Sequence, residues 1–150
     1  MKGAVSMAII SKHIDIKAPV RKVFSYMENP MNEPDFLPSM IEVRDVKGSG
    51  GGTNYKWSYK MAGLRIEGEG TIVKYVQDKE LVFKTKGGAE STWTYKFQPR
   101  KDGTSLDLNI DYSVPVPVLG KLAEKLFLKR NEREADLALI NIKENLEAEK

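Results

Sequence analysis

"YKWSYKMAGLRIEGEG", residues 55–70, sets Tyr55, Trp57, Tyr59 and Met61 on alternate positions, with Lys56, Ser58 and Lys60 between them. A strand with this alternation sends three aromatic rings and a thioether to one face. Met61 to Leu64 then reads as a turn, and "RIEGEG" resumes the alternation with Ile66, Gly68 and Gly70 on the same face. The pair predicts a hairpin with large rings on one strand and missing side chains on the next. The two glycines either leave room inside or let the sheet bend, and the two roles are compatible. Glu67 and Glu69 then point outward, unless a bulge swaps the faces.

Working outward from this hairpin, the chain from 40 to 114 alternates strand patterns with turn signals. "MIEVRDV" precedes the Gly-rich "KGSGGGT", which reads as a flexible tip or lid. "LVFKT", "STWTYKFQP" and "SLDLNIDYSV" follow the hairpin, separated by "QDKE", "KGGAE" and "RKDGT". Short connections between strands describe an antiparallel meander. Upstream, "AIISKHIDIK" is a first strand with Ile10, Ile14 and Ile16 on one face, and His13 and Asp15 on the other. "APVRKVFSYMENP" is a helix with Val20, Val23, Phe24 and Met27 at helical spacing, stopped by Pro30. "MNEPDFLPSM" allows only a short helical turn or loop, contributing Phe36 and Leu37.

After "PVPV" a long helix runs from about 119 to 147, with Leu119, Leu122, Ala123, Leu126, Leu137 and Ile140 on one arc. That arc needs an apolar partner, and the concave side of the meander is large enough. The fold class is therefore α+β: a curved antiparallel sheet of about seven strands around a long C-terminal helix, with two short helices after the first strand. One domain over residues 7–150, behind an N-terminal extension of 1–6, accommodates the whole chain.

Hydrophobic residues make up 41% and charged residues 30%, and no apolar run nears the roughly 20 residues that cross a bilayer. A soluble, cytoplasmic protein is expected. There is no cysteine and a single histidine, so thiolate chemistry and multi-histidine metal sites are excluded, and no cofactor is implied. Net charge is +3, and "GSGGG" lacks the Lys-Ser/Thr continuation of a phosphate loop. Lys56, Lys60, Lys84, Lys86 and Lys96 fall on the outward face, where they oppose aggregation, and nucleic acid is not an expected partner.

The order strand, two short helices, six strands, long helix resembles the START-like or SRPBCC superfamily, the birch-pollen-allergen fold. The matching segments are "IDIKAPVRKVFSYMENP", "FLPSMIEV", "GEGTIVKYVQDKELVF", "PRKDGTSL" and the ending from "IDYSVPVPVLGKLAEKL" to "LINIKENLE". The polyketide cyclase/dehydrase and coenzyme Q-binding branch is the most similar. The resemblance implies a helix-grip architecture and an internal, mainly apolar cavity between sheet and helix.

In that frame, Tyr55, Trp57, Tyr59, Met61, Phe83, Trp93, Tyr95 and Tyr112 are the expected ligand-facing walls, with Gly68 and Gly70 leaving space and Leu126 facing them from the helix. Four inward tyrosines need hydrogen-bond partners, which a partly wet interior supplies more easily than a dry one. Arg130 and Glu134, four residues apart in the helix, read as an internal ion pair, a head-group anchor, an acid/base element or a solvated pair. Binding, transport or presentation of a hydrophobic small molecule (lipid, quinone or polyketide-like) is the leading expectation. A cyclase/dehydratase using Glu134, Arg130 and Tyr59 is the alternative, and an assistance subunit acting through protein contacts is a third. A transient contact with a membrane or another protein is compatible with each, and oligomeric state is not legible.

Overall fold

The computed structural model describes residues 6–61, 63–87, 90–114 and 116–148. The side chains of 6–7, 61, 114, 116–124 and 127 lie outside that description, and with them the expectations placed on Met61, Leu119, Leu122 and Ala123. Residues 1–5 of the proposed extension lie outside it as well.

Seven strands form one antiparallel sheet: β1 (Ser6–Ile16), β2 (Met40–Lys47), β3 (Asn54–Met61), β4 (Leu64–Val76), β5 (Glu80–Lys86), β6 (Ser91–Arg100) and β7 (Gly103–Val114). Their order is β1-β7-β6-β5-β4-β3-β2, a meander with the first strand added beside the last. Between β1 and β2 the chain makes helix α1 (Val20–Met27), a single 3₁₀ turn (Pro30–Asn32) and the one-turn helix α2 (Glu33–Phe36). A long helix, α3 (Val116–Ala148), ends the chain. This is the helix-grip α+β arrangement.

The alternation in the sequence translates directly into faces. Ile10, Ile16, Tyr55, Trp57, Ile72, Leu81, Phe83, Tyr95, Phe97, Leu106, Leu108, Ile110 and Tyr112 are buried on the concave side, while Lys56, Lys60, Lys84, Lys86 and Lys96 are exposed on the convex side. Burying each large apolar side chain contributes on the order of 2 kcal/mol, so the inward face dominates the stability of the sheet. At one end α1 inserts Val23, Phe24 and Met27, and the Phe24 ring meets Phe97 at 5.1 Å and Tyr75 at 5.2 Å, both edge-on. The Gly-rich loop is at this end too, and it is tied down: Gly52 N–H donates to Ile72 O at 2.8 Å and Thr53 Oγ1 to Gly50 O at 2.7 Å. Of the two expectations for this stretch, a flexible hairpin tip or a lid, it is the hairpin tip between β2 and β3, closed against β4 by these bonds.

Helix α3 corrects the sequence-based arc. Its inward stripe is Ala135, Ala138, Leu139, Ile142 and Leu146, whereas Leu126, Leu137 and Ile140 are 62%, 37% and 45% exposed. Polar contacts on both flanks fix this rotation. On one side Glu134 accepts from Ser39 N–H at 2.8 Å, and Asn141 donates to Phe36 O at 3.1 Å. On the other, Asp136 pairs with Lys12 at 3.2 Å, and Lys143 donates to Asp15 O at 2.9 Å. The stripe that falls between the two flanks is the one that must face the sheet, and its alanines let the helix approach closely.

Candidate functional site

Strand β3 supplies the floor of the interior. Its inward residues Tyr55, Trp57 and Tyr59 stand directly opposite Gly70, Gly68 and Ile66 of β4. A Cβ built on Gly68 would meet the six-membered ring of Trp57, Cη2 at 2.8 Å, and one on Gly70 would meet the Tyr55 ring, Cε1 at 2.9 Å. Both are closer than a real Cβ contact. The space of the missing side chains is therefore filled by the rings across the strand pair, Trp57 at Gly68 and Tyr55 at Gly70, and at Gly68 also by the backbone oxygen of Lys86. This corrects the expectation that Gly68 and Gly70 open space of their own, and it makes the two glycines the reason the rings adopt this position.

Tyr55 leads to a residue that the sequence did not single out. Its hydroxyl donates to Glu33 Oε2 at 2.8 Å, and Glu33, on the one-turn helix α2, is only 8% exposed. Burial pushes the Glu33 carboxyl up to about 8, against the smaller opposing effect of the Tyr55 hydrogen bond. No Lys, Arg or His is buried among the described residues, so no internal cation offsets that cost. At neutral pH Glu33 is mainly an uncharged carboxylic acid inside an aromatic shell. Its sequence setting, between Pro30 and Pro34, reads as a surface turn; only the partner from β3 reveals the burial.

Tyr95 is the next polar group inward. It is 3% exposed, its ring meets Phe83 edge-on at 5.9 Å, and Phe83 in turn meets Tyr55 at 6.5 Å. Burial raises the Tyr95 phenol well above its ordinary value, and the neighbouring Glu33 and Tyr59 add to the rise. Tyr59 donates to Glu134 Oε1 at 3.1 Å, the same oxygen that accepts from Ser39 N–H. Burial and then the Glu134 charge raise the Tyr59 phenol, against smaller opposite effects of Ser39 and Arg130. Tyr112, on β7, pairs with Asn131 of α3. The Trp57 Nε1–H is buried with no acceptor among the described residues.

A family model described as "Polyketide cyclase / dehydrase and lipid transport" matches residues 7–147. The chain belongs to this family. No curated protein matches the sequence. Among solved structures, the two-domain aromatase/cyclase StfQ of the steffimycin biosynthetic pathway superposes with a TM-score of 0.78 at 15% identity; the match covers 95% of this chain and 51% of StfQ, so the chain spans about half its length. A protein of Thermus thermophilus superposes at 0.77 with 20% identity, covering 95% of this chain and 98% of that one. The Zhui aromatase/cyclase of Streptomyces sp. R1128 superposes at 0.76 with 14% identity, covering 95% and 94%. At these identities the likeness is one of fold.

For this polyketide cyclase/dehydrase family member, the structure sorts the sequence-predicted residues into three groups. Tyr55, Trp57, Phe83, Tyr95 and Tyr112 come together on the concave face, with Tyr59 and Trp93 partly buried at its margins. Trp93 Nε1 donates to Ser91 Oγ at 2.9 Å, which holds its ring at the edge of the interior. Glu134 joins them through Tyr59. Arg130 and Leu126 do not: both are exposed on α3, and Arg130 forms no ion pair with Glu134. The reason is the rotation of α3, which turns positions 126 and 130 away from the sheet and leaves Glu134 on the flank facing β2 and β3. Glu33 is the residue that the sequence reading missed.

His13 and the outer sheet form a separate cluster. Its Nδ1 lies 2.6 Å from Asp107 Oδ1 and its Nε2 2.9 Å from Asp15 Oδ1, and the Asp107 bond is the main cause raising the imidazole above its usual value. Asp15 also receives Arg100 and Ser105, and Arg100 is the main cause pulling its carboxyl down to about 2. This is a half-exposed charge network that tethers β1 to β7 and β6.

Proposed function

We propose that the chain binds a hydrophobic small molecule, such as a lipid, a quinone or a polyketide-like compound, between the sheet and α3, and carries or presents it. The observation that supports this most is the composition of the concave face: a wall of Tyr55, Trp57, Phe83 and Tyr95 with a few buried polar groups among the rings. Apolar walls with sparse, placed polar groups are the usual make-up of a small-molecule site. A core whose only task is stability gains nothing from an acid such as Glu33, whose burial costs free energy that an apolar residue would not. Covering even ~300 Å² of apolar ligand surface contributes roughly 7 kcal/mol before association costs, enough for useful affinity. A cytoplasmic site of action is part of this reading, and no helix of the described residues is long and apolar enough to cross a membrane. Native mass spectrometry of the purified protein tests it. An added lipophilic mass that leaves on denaturation is the expected result; a bare polypeptide mass that no long-chain compound shifts would refute it.

A second reading, acid/base catalysis of a cyclisation or dehydration, is favoured by one observation: Glu33 and Glu134 lie in contrasting environments. One is buried beside Tyr55, and the other is held by Ser39 N–H and Tyr59. Pairs of carboxyls in unlike surroundings are how one site supplies both an acid and a base. Turnover of a poly-β-ketone that Glu134→Gln abolishes, with affinity unchanged, is the expected signature; equal turnover by both proteins argues against it.

A further inference from the structure

The interior holds a buried donor without an acceptor among the described residues, and a buried carboxyl without a cation. Glu33 accepts from Tyr55, and Glu134 accepts from Tyr59 and Ser39. The Trp57 Nε1–H has no acceptor among the described residues. Tyr95, 3% exposed, puts a buried hydroxyl near Glu33. In its uncharged form Glu33 is itself a donor, and as a carboxylate it has no buried cation among the described residues.

We propose that Glu33, with the Tyr95 hydroxyl and the Trp57 indole N–H, holds an uncharged oxygen acceptor of the bound molecule, a ketone, quinone, ester or lactone carbonyl, and turns away carboxylates, phosphates and amines. The proposal rests on the reading that the interior receives an apolar molecule, and adds to it the charge and polarity of the group that enters deepest. A carbonyl brings acceptor lone pairs to the unpartnered Trp57 N–H and the uncharged Glu33, and no charge. A carboxylate or phosphate also brings acceptors, but its charge would be buried with no cation beside it, at a cost far above one hydrogen bond. An ammonium would bring a charge, and neither the Trp57 N–H nor the proton of an uncharged Glu33 can pair with its donors.

The protonation of Glu33 supports the assignment. Burial raises its carboxyl to about 8, so that at neutral pH it is a donor. The titratable groups facing it are Tyr55 on β3 and Tyr95 on β6, with Tyr59 behind Tyr95, and all three phenols are raised. Glu33 is the one group in this set that changes charge between neutral pH and about 9.

The test compares dodecyl methyl ketone, tetradecane, tetradecanoate and tetradecylamine, which share one chain length, in binding titrations against the wild type, Glu33→Gln and Glu33→Leu. Below pH ~7 the wild type binds the ketone at least about tenfold tighter than the alkane, the anion or the amine. Glu33→Gln, which keeps an uncharged donor, retains that preference, and Glu33→Leu loses it while binding the alkane as the wild type does. Above pH ~9 the wild type loses the preference and Glu33→Gln does not. A residue that only pins α2 to the sheet would change all four affinities together. The proposal is overturned if, below pH ~7, Glu33→Leu keeps the ketone preference, the wild type prefers the anion or the amine, or the wild type binds alkane and ketone equally; in this last case the apolar-binding reading stands and the carbonyl assignment alone fails. If none of the four binds the wild type, the apolar-binding reading fails and takes this one with it. Should Glu33→Leu not fold, the pH dependence in the wild type and Glu33→Gln decides, and a ketone preference unchanged above pH ~9 in the wild type refutes the assignment.

Discussion

Replacing Glu33 with glutamine should make the protein's stability much less dependent on pH. In the folded chain the carboxyl titrates at about 8, against 4.5 for an unperturbed glutamate. Between those values the folded state holds a proton that the unfolded state has released, so stability falls as pH rises: the favourable contribution is complete below about 4.5 and lost by about 8. Each pH unit within the window is worth about 1.4 kcal/mol, so the full loss is about 5 kcal/mol, an upper figure because local relaxation and water penetration reduce it. Glutamine has nearly the same shape, still accepts from Tyr55, and carries no proton in this range. Its amide N–H groups lack acceptors, which costs on the order of 1–3 kcal/mol at every pH. The stability difference, Glu33→Gln minus wild type, should therefore start negative near pH 5 and climb by several kcal/mol by pH ~8. The raised tyrosine phenols stay uncharged throughout this range, and the remaining perturbed side chains, Lys12, His13, Asp15 and Glu147, lie on the outer surface and cancel in the difference. Urea unfolding of both proteins across that range, with the urea slope checked for constancy, is the measurement. Parallel curves, with a difference constant to within about 1 kcal/mol, would show that Glu33 titrates as an ordinary exposed carboxylate and would refute the buried-acid geometry.

Two further predictions concern packing. Gly70→Val should destabilise the fold by at least about 1–3 kcal/mol and shift the near-ultraviolet circular dichroism, because the new side chain displaces the Tyr55 ring from its seat and with it the bond to Glu33; an unchanged spectrum and melting temperature would remove the ring-over-glycine contact from the account. On α3, Ile142→Ala and Leu139→Ala should each cost about 2–5 kcal/mol, whereas Leu137→Gln and Ile140→Gln should cost less than about 1 kcal/mol. The opposite ranking in denaturant melts would restore the rotation that the sequence pattern suggests.

Most of the sheet was legible because its evidence is local. An alternation such as Tyr55, Trp57, Tyr59 or Leu106, Leu108, Ile110 assigns the inward face without reference to anything distant, and the structure places each of these side chains on the concave side or at its margin. The features that escaped are those decided by contacts between remote segments. Along α3 two apolar stripes compete, one through Leu126, Leu137 and Ile140 and one through Ala135, Ala138, Leu139, Ile142 and Leu146, and the wheel alone favours the bulkier. The choice is made by Lys12 reaching Asp136 across 124 positions of sequence and Ser39 N–H reaching Glu134 across 95, contacts that no periodicity encodes.

Glu33 escaped for the same reason in a sharper form. A glutamate among prolines and asparagine has every local mark of a solvated turn, and it becomes an interior acid only because α2 folds over the sheet and Tyr55 reaches up to it. The glycines opposite that strand complete the chain of causes. Gly70 leaves space that the Tyr55 ring fills, the ring so placed aims its hydroxyl at α2, and the hydroxyl finds Glu33. One consequence separates this order of events from a coincidence of neighbours: a change at Gly70, which does not itself touch Glu33, should lower the pH at which Glu33 titrates, because a displaced Tyr55 opens the acid to water and relieves the desolvation that raises it. If the titration of Glu33, followed by the side-chain carboxyl resonance, were the same in Gly70→Ala as in the wild type, the glycine and the acid would be independent features of the interior.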